Sequence, residues 1–429
     1  MKHYNPFRFI ACVMAVTTLF VACRKEPLEL QNPNTRRCST YFEQFEAVWE
    51  GIDHTYVLWS RDTVDWDARY EKFKPIFESF DARGTVDVEE WSQAWEDFTY
   101  GLLDHHMYIR LYNPKSEVTL GLNPAKNDYE HKTDISAQIA ILKQQPGVTN
   151  YVEYWDSKNP YTNSVACLLP GKTTGKYIAY LRLGEFAIST LYKDDTLANK
   201  AAIEAPLRAF YGDDYSNGIS NGLAAREDVE SIIIDLRGNP GGNVADLSPA
   251  IGSLMQTGCE YGYSRYKQGT GRLDYSGWMP AGIPLPLHHL TKANPVVALT
   301  DINSVSCAEL STQIIKTMPQ GKVIGERTYG GTCALNPYTD VWFNIYYTGC
   351  FGDQKLFPQP GVGDGKPTHP EDFAYYVYSG TFDIVTKDYK SLEGVGVQPD
   401  IKVLYDAEAL AAGRDTQLDA ALSYLCSNQ

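Results

Sequence analysis

SIIIDLRGNPGG, residues 231–242, is a short apolar run that ends at a polar turn rich in glycine. An apolar run of this length is typical of a buried strand. The glycines permit positive φ angles, so that backbone N–H groups in the turn can point at an anion. The turn is therefore compatible with an oxyanion hole, a phosphate site or an ordinary tight turn. It lacks the spacings GxGxxG and GxxxxGK[ST], which disfavours nucleotide binding.

Short strands and helices alternate on both sides of this turn. Further strands are predicted at YIAYLRL (177–183), PVVALT (295–300) and KVIGE (322–326), and helices at VADLSPAIGSLMQ (244–256) and SCAELSTQIIKTM (306–318). This alternation is typical of an α/β fold. We therefore expect an α/β domain over residues 176–429.

Residues 38–111 have a helical pattern instead. Aromatic and aliphatic residues recur at three- and four-residue spacing in YFEQFEAVWEGIDHTYVLW, DWDARYEKFKPIFESF and DVEEWSQAWEDFTYGLLDHH. We expect three helices that form a small bundle. Residues 112–175 contain proline, asparagine and glycine breaks with little periodicity, and we expect them to connect the bundle to the α/β domain.

The N-terminus has the pattern of an export signal. Lys2 and Arg8 precede IACVMAVTTLFVA, an apolar run that is too short to span a bilayer and that ends at FVAC. A small residue before cysteine after such a run resembles a bacterial lipoprotein signal. We therefore expect residues 1–22 to be a signal peptide, Cys23 to carry lipid and residues 23–37 to be a tether. The protein would then be a membrane-anchored lipoprotein of the cell envelope, either periplasmic or on the cell surface; an ordinary signal peptide is the alternative.

Composition disfavours several classes of function. The chain has 429 residues, of which 43% are hydrophobic and 21% charged, as in ordinary globular proteins. Its net charge of −15 opposes binding to nucleic acid, whose phosphates require a basic surface. The cysteines are scattered without a CxxC pair, which gives no support to a zinc or thioredoxin-like motif. We expect no cofactor, no metal and no nucleic-acid partner.

Several nucleophiles lie in DINSVSCAEL, residues 301–310, where a predicted strand leads into a predicted helix. The N–H groups and positive dipole of a helix N-terminus stabilise negative charge that develops beside it. Ser306-x-x-Glu309 also matches a capping box, in which the serine side chain only accepts a hydrogen bond from its own helix. Both uses of Ser306 remain open at this point, and Cys307 is an alternative nucleophile.

Acidic residues and histidines occur in two further segments. In GLLDHHMYIR, residues 101–110, a histidine could act as a general base that Asp104 orients, or the histidines could simply be hydrogen-bonded. Neighbouring histidines rarely face one metal ion, and no HExxH motif is present. In LEGVGVQPDIKV, Glu393 or Asp400 could orient a histidine, although turn chemistry alone also accounts for these residues.

The order of these motifs resembles that of the C-terminal-processing serine peptidases. DLRGNPGG is followed by SCAE, GERTYGG, EGVGVQPDI and the closing DTQLDAALSYL, and the upstream DHH is similar to the tricorn-core branch of that family. The resemblance spans about residues 40–429. It implies a crotonase-like (ClpP/crotonase-type) α/β core. It also implies hydrolysis of peptide bonds in unfolded or C-terminal polypeptide segments, without a cofactor.

The same resemblance assigns the site residues. Ser306 matches the nucleophile, His106 the histidine base and Glu393 the acidic residue that orients it. The oxyanion donors would be the backbone N–H groups of Cys307 and of a glycine in the Gly241-Gly242 pair.

Two positions depart from the family pattern. Gly331 stands where the other branch has its lysine base, so that a histidine has to supply the base. His105 replaces the glycine expected before the catalytic histidine. A catalytically inactive surface lipoprotein that binds peptides or glycans is therefore the competing hypothesis, and the oligomeric state is not indicated.

Overall fold

The computed structural model describes residues 36–125, 131–156, 163–269, 271–335, 349–358 and 363–427. The predicted signal peptide, the lipidation site Cys23 and all but the last two residues of the tether lie outside the described residues, so these stay predictions. Within the part of the chain that is described, no helix is long and apolar enough to cross a membrane.

The described residues contain ten α-helices and fourteen strands. The helices are α1 Tyr41–Thr55, α2 Trp66–Arg83, α3 Val88–Thr99, α4 Ile135–Lys143, α5 Ile188–Lys193, α6 Lys200–Tyr211, α7 Leu247–Ala250, α8 Cys307–Thr317, α9 Ala407–Ala411 and α10 Thr416–Ser427. The strands are β1 Tyr108–Asn113, β2 Val118–Leu122, β3 Thr149–Glu153, β4 Val165–Pro170, β5 Tyr177–Arg182, β6 Val229–Asp235, β7 Cys259–Tyr266, β8 Met279–Ile283, β9 Val296–Thr300, β10 Gly321–Gly325, β11 Phe351–Gly352, β12 Tyr375–Tyr378, β13 Phe382–Thr386 and β14 Ile401–Lys402.

The central sheet has seven strands in the order β14-β10-β9-β6-β5-β4-β3. In this sheet, five strands run parallel to one another: β14, β10, β9, β6 and β5. Strands β4 and β3 are added antiparallel at the β5 edge. Asp235 at the end of β6 lies opposite Leu299 near the end of β9. The glycine-rich turn after β6 and the serine-bearing loop after β9 therefore emerge side by side at one edge of the sheet.

Both faces of this sheet are covered, as expected for parallel strands. Along β6, Ile232 and Ile234 belong to one core with residues of α6, α7 and α8, whereas Ile233 belongs to a second core with residues of α4 and α10. Successive residues of a strand point to opposite faces, which explains why an uninterrupted apolar run is required here. The predicted mixed α/β fold with N-terminal helices is confirmed.

The N-terminal part contains the three expected helices and, in addition, a four-stranded sheet. Helices α1 to α3 pack through an aromatic core, in which the ring of Phe45 stacks on Phe77 at 4.6 Å and meets Phe98 edge-on at 4.9 Å. A four-stranded sheet in the order β11-β12-β1-β2 shares that core, as the burial of Ile109 and Val377 shows. The partners of β1 and β2 come from residues beyond 350, which local periodicity does not reveal.

Residues 112–175 differ from the expected connecting region, because they supply strands to both sheets. They contain β2, α4, β3 and β4. Strand β4 is buried at five of its six positions, so it has the apolar character of an internal strand without the alternation of an amphipathic one. This segment is therefore part of the packed core.

Residues 349–386 link the two parts of the molecule. Strand β12 pairs with β1, with Tyr375 opposite Leu111, and β13 then pairs with β7 in a separate sheet of order β13-β7-β8. This segment thus fastens the N-terminal helices and sheet to the α/β part. It brings the segment that precedes β1 towards the edge of the central sheet.

Candidate active site

Ser306 lies between β9 and the first residue of α8, with φ 58° and ψ −118°. Positive φ is uncommon for a residue with a side chain and costs about 1–3 kcal/mol, so surrounding contacts must hold it. Two such contacts exist, because the Ser306 N–H donates to Gly331 O and to Glu309 Oε2, both at 3.1 Å. A strained strand-to-helix turn of this kind presents the serine hydroxyl in α/β-hydrolases.

The N-terminus of α8 has the arrangement of a capping box. Ser306 and Glu309 occupy the positions of a capping box, and the Glu309 side chain makes its half of the contacts. The Glu309 N–H makes its 2.8 Å hydrogen bond to the Ser306 backbone carbonyl and faces the Ser306 side chain as well. The capping-box pattern is therefore present, and the role of the hydroxyl as a nucleophile stays a prediction.

His106 lies in the short loop between α3 and β1. Its own N–H donates to Asp104 Oδ1 at 2.8 Å. The loop is anchored to residues that follow α1, since Leu103 N donates to Asp62 Oδ2 at 2.8 Å and Asp104 N to the Tyr56 hydroxyl at 3.1 Å. The position of His106 thus depends on how the N-terminal helices are placed.

Gly331 lies between His106 and Ser306. A methyl group on Gly331 would lie 3.3 Å from Cε1 and 3.4 Å from Nδ1 of His106. The carbonyl of the same residue accepts the Ser306 N–H. Both ring nitrogens of His106 are buried and have no hydrogen-bond partner among the described residues. Burial lowers the pKa of His106, which favours the neutral imidazole that a general base requires.

Glu393 is buried beside this histidine. Its Oε1 accepts from His105 N at 2.9 Å, and its Oε2 accepts from Thr332 N at 2.6 Å and from Cys333 N at 2.8 Å. Burial, and then the charge of Asp104, raise the pKa of Glu393 to about 8. One ligand atom each of Asp104, His106 and Glu393 lie within 4.8 Å of one another. Glu393 is therefore next to His106 without a direct hydrogen bond to its ring.

The glycine-rich turn lies directly over Ser306. A methyl group on Gly241 would lie 2.5 Å from Ser306 Cβ and 3.0 Å from both Ser306 Oγ and Cys307 N. The Gly241 N–H donates to Asn239 Oδ1 at 2.7 Å, so the structure removes Gly241 from the predicted oxyanion donors. Within the described part of the chain, the N–H groups of Gly242 and Cys307 have no acceptor. These two groups remain as candidate donors.

The segment that contains Ser306 matches a known protein family. Residues 178–339 match the family model of Peptidase family S41. This segment, called here the S41 domain, is similar to that family. It contains Ser306, Gly241 and Gly242, whereas His106 and Glu393 lie outside the matched residues.

Relatives of the S41 domain include tricorn proteases. Over 193 residues the chain is 28% identical to a proposed tricorn protease homolog 2 of Streptomyces coelicolor, a match that covers 45% of this chain and 12% of that protein. Over 196 residues it is 24% identical to the tricorn protease of Thermoplasma acidophilum, covering 46% of this chain and 14% of that protein. The match thus spans only about an eighth of the length of these curated relatives.

Solved structures share the fold over most of the chain. A crystal structure of a proposed peptidase from Parabacteroides merdae superposes with a TM-score of 0.59 and 19% identity, covering 91% of this chain and 98% of that one. Mature CPAF superposes with a TM-score of 0.53 and 11% identity, covering 91% and 99%. The architecture around the S41 domain, including the N-terminal helices, therefore recurs in other chains.

Cys307, the alternative nucleophile, points away from the site of the S41 domain. Its thiol donates to Gly242 O at 3.1 Å and is fully buried. Burial raises the pKa of Cys307 to about 12, so the reactive thiolate is strongly disfavoured. The contact instead fixes the Gly242 peptide relative to the start of α8.

His105 and Asp400 also have structural contacts. The N–H of His105 binds Glu393, and its ring meets Tyr329 edge-on at 5.1 Å. Asp400 accepts from Val323 N at 2.9 Å at the edge of the central sheet. Asp400 therefore holds β14 beside β10 and is not the carboxylate that flanks His106.

Asp104, His106 and Glu393 are also the side chains that could together hold a metal ion in the described part of the chain. Both carboxylates are already hydrogen-bonded: Asp104 accepts from His106 N, Ser379 Oγ and Gly380 N. The absence of a bound metal stays a prediction.

Asn239 and Asp301 are site residues that the sequence analysis missed. Asn239 Nδ2 donates to Leu183 O at 2.7 Å while its Oδ1 holds Gly241. Asp301 Oδ1 accepts from Gly238 N at 2.9 Å, which joins the turn after β6 to the loop after β9. Two signals for these residues were available in the sequence: an asparagine within a glycine-rich turn and an aspartate directly after a strand.

Glu309 organises the loop that carries Ser306. Its Oε1 accepts from Thr328 Oγ1 at 2.6 Å and Gly330 N at 2.7 Å, and its Oε2 accepts from Gly331 N at 2.7 Å and from Ser306 N. No Lys or Arg pairs with it among the described residues, and burial raises the pKa of Glu309 to about 7. Four donors therefore compensate the buried carboxylate.

Replacing Glu309 by glutamine is expected to lower the free energy of unfolding by about 2–3 kcal/mol, because the amide NH₂ must face two donors in either orientation. Urea unfolding at about pH 8, above the pKa of Glu309, measures the change. Glu96→Gln, at an exposed position of α3, is the matched control and is expected to change stability by less than about 0.5 kcal/mol. Equal unfolding midpoints for the two variants would contradict the organising role of Glu309.

Proposed function

We propose that this chain is a serine endopeptidase in which Ser306 attacks the peptide bond and His106 accepts its proton. The observation that carries the proposal is the position of Gly331, whose carbonyl accepts the Ser306 N–H and where an added methyl group would lie 3.3 Å from the His106 ring. A nucleophile and a base on segments 200 residues apart in sequence thus share one neighbour. The match of residues 178–339 to peptidase family S41 supports the same assignment.

The chemistry would be acyl transfer. Neutral His106 takes the hydroxyl proton as Ser306 Oγ bonds to the carbonyl carbon, and the carbonyl oxygen becomes an oxyanion. The N–H groups of Gly242 and Cys307 would donate to that oxygen, which commonly contributes a factor of about 10²–10³ per donor. His106 then protonates the leaving amine, and a water molecule hydrolyses the acyl-enzyme by the reverse route. Glu393 and its neighbours keep the ring in place.

We infer a crotonase-like arrangement for the α/β part and unfolded or C-terminal polypeptide segments as substrates. The parallel sheet with its site at the carboxyl ends of β6 and β9 is compatible with such a core. The competing hypothesis of an inactive relative is less favoured. His105 adds a hydrogen bond to Glu393 and leaves His106 beside Gly331.

The test is covalent labelling of the wild-type chain with a fluorophosphonate probe, followed by peptide mapping and by hydrolysis of an unstructured protein. We expect one label per chain, on Ser306, and loss of hydrolysis in proportion to labelling. Urea-unfolded chain is the control and is expected to remain unlabelled, because an unactivated serine hydroxyl is a weak nucleophile. A folded chain that is neither labelled nor active between about pH 5 and pH 9 would support the inactive relative.

A further inference from the structure

The candidate oxyanion donors come from two separate segments. The N–H of Gly242 belongs to the glycine-rich turn (residues 238–242), and that of Cys307 follows the serine-bearing loop (residues 301–306). An oxyanion must lie within hydrogen-bonding distance of both donors at once, and a displacement of about 1 Å commonly costs 10²-fold in rate. The spacing between the turn and the loop is therefore as important as the fold of each.

Asp301 joins the turn to the loop through its buried side chain, which is 0% exposed. Its Oδ1 accepts from Gly238 N at 2.9 Å and from Asn303 N at 3.0 Å. Its other oxygen, Oδ2, accepts from the Thr133 hydroxyl. A buried carboxylate is costly unless it is hydrogen-bonded, so the donors on both sides are required to hold Asp301 in place.

Thr133 lies close to the turn as well as to the loop. A methyl group on Gly238, which has φ +67°, would lie 3.2 Å from both Cβ and Oγ1 of Thr133. The Thr133 hydroxyl reaches the loop through Asp301. Thr133 thus contacts both segments, although it lies outside residues 178–339, which match the peptidase family.

The stretch 131–134, to which Thr133 belongs, is itself fixed at both ends. The Asp134 side chain caps α4, and Ile135 in the first turn of that helix is buried in the core under the central sheet. At the other end, the His131 carbonyl accepts from Asn303 Nδ2 at 3.1 Å. The stretch therefore connects a packed helix to the serine-bearing loop.

We propose that Thr133 is a positioning residue for peptide-bond hydrolysis, whose hydroxyl holds Asp301 and thereby sets the spacing between the glycine-rich turn and Ser306. This inference rests on the proposed peptidase function. It concerns a residue that acts through Asp301 and does not touch the substrate.

The test compares Thr133→Val, which keeps the branched shape and loses the hydroxyl, with Thr133→Ser, which keeps the hydroxyl. We expect Thr133→Val to lower kcat about 10-fold with little change in KM, because misplaced donors act mainly on the transition state. Thr133→Ser should stay within about two-fold of the wild-type kcat, since its hydroxyl can still donate to Asp301. Hydrolysis of an unstructured protein and the rate of fluorophosphonate labelling, each per folded chain, measure the change. A role in stability alone would leave both rates unchanged.

Ser136→Ala is the matched control on the same side of the molecule. The exposed Ser136 hydroxyl donates to Asp134 Oδ1 at 2.8 Å, so its hydrogen bond stays at the start of α4. We expect this variant to keep the wild-type kcat. Should Thr133→Val fail to fold, Asn303→Ala removes the contact with the His131 carbonyl instead, and it should lower kcat in the same direction.

Hydrogen exchange of the resting chain gives a reading that needs no turnover. The amides of Gly238 and Asn303 both donate to Asp301, so peptides that cover them should exchange at least about 5-fold faster in Thr133→Val than in the wild type or Thr133→Ser. An inert wild type would refute the proposed function, and the exchange rates would still test the link. Wild-type kcat and exchange in Thr133→Val, or a Thr133→Ser variant that behaves like Thr133→Val, would overturn the inference.

Discussion

Ser306→Ala is expected to lower kcat/KM for an unstructured protein by about 10⁶-fold, the scale found when a serine peptidase loses its nucleophile. The alanine removes Oγ, and Cys307 cannot replace it because its thiol is buried against Gly242. Steady-state hydrolysis of a dye-labelled unstructured protein, with the fluorophosphonate probe as titrant, measures the loss. Hydrolysis that persists in Ser306→Ala and is abolished by iodoacetamide would contradict the assignment.

The backbone strain at Ser306 should also affect the free energy of unfolding of its variants. Alanine retains the unfavourable φ of 58°, so Ser306→Ala should unfold at nearly the wild-type temperature. Glycine adopts positive φ without steric cost, and Ser306→Gly should be inactive yet about 1 kcal/mol more stable than Ser306→Ala. Calorimetry measures the stability of the alanine and the glycine variants. A glycine variant that is less stable than the alanine variant would mean that the backbone at Ser306 is not strained.

Gly241→Ala is the second change with a large expected effect, at least about 10²-fold in kcat/KM. The added methyl group would lie 2.5 Å from Ser306 Cβ and 3.0 Å from Cys307 N, so the turn or the start of α8 must move. Displacing a nucleophile or an oxyanion donor by even about 1 Å commonly costs 10²-fold. Single-turnover kinetics measures the change, and it should appear in kcat.

Gly175→Ala is the matched control for this substitution. Gly175 has φ +79°, but a methyl group there meets no atom within 4 Å. Both variants carry the backbone strain of about 1 kcal/mol, and only Gly241→Ala carries the clash with Ser306. We expect Gly175→Ala to keep wild-type kcat/KM. Equal activity of both variants would contradict the close approach of the turn to the nucleophile.

The contacts of the site distinguish residues that the sequence analysis treated alike. In the sequence, Gly241 and Gly242 were equivalent candidates for the oxyanion donor. In the structure, the Gly241 N–H donates to Asn239, and the Gly242 N–H has no acceptor among the described residues. The Glu309 N–H donates to the Ser306 backbone carbonyl at 2.8 Å, a contact that the capping-box pattern in the sequence does not reveal. Such choices depend on distances of a few tenths of an ångström, which spacing in the sequence does not encode.

Local patterns were sufficient for the parallel α/β strands and the N-terminal helices, whereas the choice of Ser306, His106 and Glu393 came from the family resemblance. Apolar runs, helical periodicity and turn glycines act over a few residues, so they are visible in a linear sequence. The pairing of β12 with β1 and the inclusion of residues 112–175 in both sheets were not visible. Strand β12 lies more than 250 residues after β1 in the sequence, and packing of buried surface selects their pairing.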